Sequence, residues 1–175
     1  MEEKSSMAKE KAGKSVYDQE LLNEIACMLF KQGATLSVAE SVTSGCLQTA
    51  FSLAEGATQF FQGGITAYEA SQKTRLLAVE PIYGKENECV NGMVAEQMAL
   101  GANRMFLSRY AISITGFAKP IPGHEFKNPY AYYAIAKGQE VVRQGFLEVA
   151  EDESCTVQEA FTRKLLKIFL ELLKK

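Results

Sequence analysis

Leu21, Leu22, Ile25, Met28 and Leu29 recur at the three-and-four spacing of one face of an α-helix. The stretch ahead of them, "SVYD", predicts a capping box with Ser15 as N-cap and Asp18 at the third helical position, and Gly33 predicts the stop. "TLSVA", residues 35–39, is a short continuous apolar run of the kind a buried strand shows. Cys46, Leu47, Ala50, Phe51 and Ala54 return to helical spacing and predict a second helix over about residues 44–53. "QFFQGGITAYEA" predicts a strand interrupted at Gly63 and Gly64, because paired glycines inside a strand mark a bulge or a close backbone approach. A short helix over "SQKTRLLA" follows, then a loop over residues 80–91. Val94, Met98, Ala102, Met105 and Phe106 predict a longer helix from about 92 to 108. "YAISITG" is the next strand, and two of the four prolines fall in the loop "FAKPIPGHEFKN" behind it. "PYAYYAIA" and "VVRQGFLEV" predict two closing strands around the turn "KGQE". Phe161, Leu165, Ile168, Phe169 and Leu172 then lie on one face of a last helix, about 157–174.

Strands alternate with helices through the first two-thirds, and a hairpin closes the series. That order predicts an α/β fold: a three-layer α/β/α sandwich with a mixed, mostly parallel sheet. Residues 15–175 are expected to form one domain, with 1–14 a solvated, disordered tail. Apolar residues make up 47% of the 175, enough for a sizeable core. Nineteen Lys and Arg against 21 Asp and Glu argue against an electrostatic nucleic-acid binder, which carries a basic excess. No run of 18 uncharged apolar residues predicts a membrane span, and the N-terminus lacks the apolar segment of a signal peptide. A cytoplasmic location is expected. The four cysteines form no C-x-x-C pair, and with His124 as the single histidine the spacing of a structural zinc site is missing. Cys27 and Cys46 are expected on apolar helix faces as small hydrophobes.

In open α/β sheets, ligands bind beyond the carboxyl ends of the strands. Two polar strand ends qualify, "AESVTSG" (residues 39–45) and "SITGFAKP" (residues 113–120). The first is a strand-to-helix turn, whose amides suit an anion or an oxyanion. Ser41, Thr43 or Ser44 either caps the helix or supplies a nucleophile. A nucleophilic serine needs a base. His124 lies in a Pro/Gly-rich loop, whereas a lysine serves if burial leaves it neutral. Lys73, in the helix after the Gly63/Gly64 strand, is a candidate, with Tyr68 as hydrogen-bond donor or relay. The plain alternatives are a solvated helical lysine and a strand aromatic. Thr115 and Gly116 either line a pocket or form a turn.

The ordered motifs "AESVTSG", "GGITAYEASQK", "VNGMVAEQMALGA" and "AISITGFAKP" resemble the C-terminal domain of the CinA (competence/damage-inducible) family over roughly residues 17–174. The resemblance implies a three-layer α/β/α fold and self-association, with a dimer favoured. It also implies nicotinamide mononucleotide deamidase chemistry in pyridine nucleotide salvage: hydrolysis of the ring carboxamide to nicotinic acid mononucleotide and ammonia. A small-molecule nucleotide is then the partner, with no nucleic acid and no membrane, and neither metal nor other cofactor is required. The family's serine, tyrosine and lysine correspond to Ser41, Tyr68 and Lys73, which the resemblance makes catalytic. Glu40, Thr43, Ser44, Gly45, Thr115 and Gly116 fall in its motif positions and are expected to bind substrate. The chain departs from the pattern at Val42, for a cysteine; at Ser44 and Lys119, for glycines; and at Ala70, for an asparagine. Glu151-Asp152-Glu153 stands where a G-D-R is usual. Those departures support a second expectation: a divergent member that binds a nucleotide or partner without hydrolysing it.

Overall fold

The structure is a computed structural model that describes residues 16–82, 87–123, 125–150 and 156–175. The expected tail, the Ser15 cap, His124, Cys155 and the Glu151–Glu153 departure lie outside the described residues.

The elements in chain order are α1 (Gln19–Lys31), β1 (Leu36–Glu40), α2 (Cys46–Ser52), α3 (Ala57–Phe60), β2 (Phe61–Thr66), α4 (Ala70–Leu77), α5 (Gly92–Phe106), β3 (Tyr110–Phe117), β4 (Tyr130–Lys137), β5 (Glu140–Glu148) and α6 (Val157–Leu173). A 3-10 turn, Asn87–Cys89, precedes α5 inside the expected loop. The α1 cap differs from expectation. Asp18 is the N-cap, its carboxylate accepting from the amides of Glu20 and Leu21, so the helix starts later than a Ser15 cap requires. A capping box does occur at α6, between Thr156 and Glu159. The short helix α3, packed directly against the start of β2, is too brief for periodicity to reveal.

Among the described residues the sheet has five strands in the order β2-β1-β3-β4-β5. β1 runs parallel to β2 and β3, and β4 and β5 are antiparallel additions. The carboxyl ends of β1, β2 and β3 therefore meet at one edge. Alternation along each strand splits the core in two. Leu36, Val38, Ile112 and Ile135 join a cluster with Leu22, Ile25 and Leu29 of α1 and Phe161, Leu165 and Phe169 of α6. Ala39, Ala111, Ala134 and Ala136 face the other way, against Leu77 of α4 and Met98 and Ala102 of α5.

The second face is built from small residues, and this lets α4 and α5 sit close to the sheet and to each other. A side chain at Gly101 of α5 would run into the backbone of Leu77. Each buried Leu or Phe of the first cluster contributes about 1.5–3 kcal/mol, so that cluster dominates stability. The second cluster holds a helix pair at fixed distance and leaves room for polar groups.

Candidate active site

Ser41 follows β1 directly and extends its ladder. Its amide donates to the carbonyl of Ile114 (3.0 Å), and the Ala67 amide donates to the carbonyl of Glu40 (2.9 Å). Ser41 is thus flanked by the end of β2 on one side and by Thr115 of β3 on the other. Strand alternation carries it to the face of Ser37 and Ala39, on which α4 and α5 pack. Ser41 is buried, at 6% exposure.

Lys73 comes to this edge from α4. Glu69 starts that helix by accepting from the Ser71 amide (2.8 Å) and hydroxyl, and Lys73 follows on the same face as Leu77. Lys73 is 2% exposed, far from the solvated lysine of the plain alternative. Its Nζ donates to the backbone carbonyl of Tyr68 (2.8 Å), one residue beyond the Ala67 that pairs with Glu40. Burial pushes its pKa down from 10.5, opposed by the nearby Cys89 thiol and the Glu69 carboxylate. A lysine so desolvated is biased toward the neutral amine, the form that accepts a proton. The Tyr68 phenol is 70% exposed, so the residue meets Lys73 through its backbone carbonyl.

Glu40 was expected to touch substrate, and the structure gives its carboxylate a different task. At 0% exposure it accepts from the amides of Gly45 (3.0 Å) and Leu47 (3.0 Å) through one oxygen and of Gln48 (2.9 Å) through the other. Three of the amide donors at the start of α2 are thereby satisfied by an anion from the preceding strand. Neither Thr43 nor Ser44 caps α2. Its N-cap is Gly45, in a left-handed conformation and without a side-chain cap of its own. Ser44 is exposed and also left-handed, at φ 48°, a backbone region that L side chains adopt at a cost.

Two further expected ligand groups are committed within the protein. The Thr115 hydroxyl donates to the carbonyl of Cys89 (2.9 Å), and Thr115 is fully buried. Gly116 makes room for β4, since a side chain there would overlap Tyr130 and Ala131. Thr43 stands apart: it is 0% exposed, and its Oγ1 is the one fully buried side-chain polar atom without a partner among the described residues.

Sequence reasoning missed the Cys89 turn. Glu88 and Cys89 are both left-handed, at φ 51° and 64°, and they bring a buried thiol close enough to Lys73 to influence its charge. Burial raises the pKa of that thiol, and Lys73 pulls it back down. Cys27 is exposed, which corrects its placement on an apolar helix face, whereas Cys46 is half-buried against the larger core. Among the described residues no cluster of His, Cys, Asp and Glu is gathered as for a metal ion. No helix among them is long and apolar enough to cross a membrane.

The fold and the site together define a class: an α/β/α domain with a serine and a buried lysine brought to the carboxyl edge of its parallel strands. The chain belongs to the CinA C-terminal domain family, whose sequence model matches residues 18–173. Among curated relatives, a CinA-like protein of Solibacter usitatus is 39% identical over 123 residues, 69% of this chain and 30% of the relative. One from Rippkaea orientalis is 37% identical over 110 residues, 63% of this chain and 26% of the relative. The chain thus spans under a third of the length of these relatives. The same fold is found in the competence or damage-inducible protein of Enterobacter asburiae, with TM-score 0.80 and 24% identity over 89% of this chain and 97% of that one. A CinA superfamily protein of Enterobacter cloacae gives TM-score 0.81 and 23% identity over 97% and 99%.

Proposed function

We propose that this domain is an amidohydrolase that cleaves the carboxamide of nicotinamide mononucleotide or a related pyridine carboxamide. The observation that carries the reading is the burial of Lys73 at the strand edge that also bears Ser41, with its amine held by the Tyr68 carbonyl. Burial favours the neutral form of a lysine, and a neutral amine is the form that abstracts a proton.

Ser41 Oγ attacks the amide carbon while its proton passes to neutral Lys73. The carbonyl π pair moves onto oxygen, giving a tetrahedral oxyanion. The C–N bond then breaks, and Lys73 returns the proton so that ammonia leaves. Water attacks the acyl-enzyme with Lys73 again as base, releasing the carboxylic acid and restoring Ser41. The exposure of the Tyr68 phenol favours a direct transfer between serine and lysine over a relay through Tyr68.

The test is ammonia release from nicotinamide mononucleotide by purified protein, with the acid product identified by chromatography. Ser41→Ala and Lys73→Met each abolish release. Unchanged activity in both variants would refute the mechanism. A second reading, a domain that binds a nucleotide without hydrolysing it, is favoured by one contact: Lys73 Nζ donates to Tyr68, not to Ser41. Calorimetry separates the two, since binding without turnover across a panel of carboxamides supports the second. Self-association as a dimer belongs to the same proposal and is read by sedimentation.

A further inference from the structure

The turn after Ser41 has donors that its own fold does not use. The Ser44 amide donates to the Ser41 carbonyl (3.2 Å), which closes a four-residue turn over residues 41–44. In such a turn the two central amides, here those of Val42 and Thr43, are left out of the closing bond. Neither finds an acceptor among the described residues. The positive end of α2 is no substitute, because the buried Glu40 carboxylate occupies the amides of Gly45, Leu47 and Gln48. A second anion at those amides would face that carboxylate at close range. An oxyanion formed at Ser41 must draw on other donors.

Thr43 supplies the independent observation. Buried hydroxyls in folded proteins are almost always paired, and an unpaired one costs stability that nothing in the fold returns. Thr43 Oγ1 is fully buried and unpaired, two residues from Ser41 and in the same turn. Threonine is also not needed there for capping, since α2 is capped by Glu40. We infer that the Thr43 hydroxyl is a catalytic donor, pairing with the oxyanion that forms when Ser41 adds to the carboxamide, beside the amides of Val42 and Thr43. This deepens the amidohydrolase reading and rests on it. An orphan hydroxyl of this kind is preorganised: it has no bond to break when the charge appears, so its hydrogen bond is gained only in the transition state.

The experiment compares wild type, Thr43→Val and Thr43→Ser in three measurements: ammonia release from nicotinamide mononucleotide, thermal melting, and calorimetric binding of pyridine-3-boronic acid. The boronic acid needs no turnover. The Ser41 oxygen bonds to boron, the serine proton passes to Lys73, and a boron-bound oxygen takes the oxyanion position. For Thr43→Val the expected result is a kcat lower by roughly 10²–10³-fold with KM within about twofold, the size of losing one oxyanion donor. Thr43→Ser recovers most of the rate, and boronate affinity falls about tenfold in the valine variant only. Thr43→Val melts at the same temperature as wild type or higher, because an unpaired buried hydroxyl has been replaced by a methyl of the same shape. A structural hydroxyl gives the opposite sign. Equal kcat in wild type and Thr43→Val overturns the inference and leaves the amidohydrolase reading standing, as does a rate loss matched by a lower melting temperature. Wild type that releases no ammonia yet binds boronate in a Thr43-dependent way overturns the amide substrate and upholds the donor. Wild type that does neither overturns both.

Discussion

Lys73 is the residue on which the proposed activity and the stability of the fold pull in opposite directions. Its pKa in the folded protein lies below the 10.5 of the free side chain, chiefly through burial. The unfolded chain therefore binds more protons than the native one between those two values, and stability rises with pH across that window. Below the folded pKa the lysine is a standing cost. Lys73→Met is expected to raise the melting temperature at neutral pH and to flatten this rise, read by thermal melts across a pH series. In the same residue the rate profile for ammonia release should climb with pH as the amine loses its proton, with a midpoint below 10.5. If the proton passes directly between Ser41 and Lys73, Tyr68→Phe should keep activity within about twofold, because the phenol is exposed and the carbonyl that holds Lys73 is unchanged. A loss of tenfold or more in steady-state kinetics would return the phenol to the mechanism. Ser41 and Lys73 were each legible in the sequence as one alternative among several, and the motif resemblance is what gave them weight together. Periodicity placed Lys73 on a helix but not its burial, which depends on which face of α4 meets the sheet.

At the scale of elements, α2 is the clearest case of a short helix held by one side chain. Seven residues are too few to be stable alone, since helix nucleation is costly and few bonds repay it. Glu40 compensates by reaching from the end of β1 to three of its amides. Glu40→Ala leaves those donors buried or half-buried without an acceptor and is expected to cost on the order of 3 kcal/mol, measured by denaturant unfolding. Glu40→Gln retains acceptor geometry through one oxygen and should cost less. The hydroxyl-rich composition of residues 41–44 suggested a local cap, and the cap instead comes from the strand. A carboxylate four or more residues upstream competes well when burial strengthens its hydrogen bonds, and no local pattern reports that. The small-residue face of α5 was equally silent. Gly101 breaks no periodicity, yet its missing side chain sets the distance between α5 and α4, and so the depth of Lys73.

For the whole molecule, the element order, the mixed sheet and the larger core were readable in advance because each rests on long apolar repeats. The parallel part of the sheet is consistent with them, since parallel strands need crossovers and α2 through α5 supply them. What could not be read was the division of the core into a large-residue layer and a small-residue layer. The same alternation pattern describes both until the partner helices are known. Gly101→Leu should therefore do more than destabilise. Forced apart from Leu77, α5 displaces α4, and ammonia release is expected to fall even under conditions where circular dichroism shows the chain still folded.

The irregularity at the start of β2 has a consequence of its own. Leu36 stands opposite Phe61, but Ser37 stands opposite Gly63, so Gln62 is taken up as an extra residue before the strand continues in step to Glu40 opposite Thr66. The strand thus carries slack at its amino end, which lets Phe61 seat in one core layer while Gly63 and Ile65 face the other. Removing Gln62 spends that slack and leaves the pairing of Glu40 with Thr66 as it was, so the variant should still release ammonia. Adding one residue between Ile65 and Thr66 has no slack to draw on. It carries the Tyr68 carbonyl about 3.3 Å past its station and turns alternate side chains to the wrong face. Of two edits of equal length in one strand, the deletion is expected to be harmless and the insertion to silence the proposed activity, because the first falls ahead of the point where the chain takes its measure from Glu40 and the second falls after it.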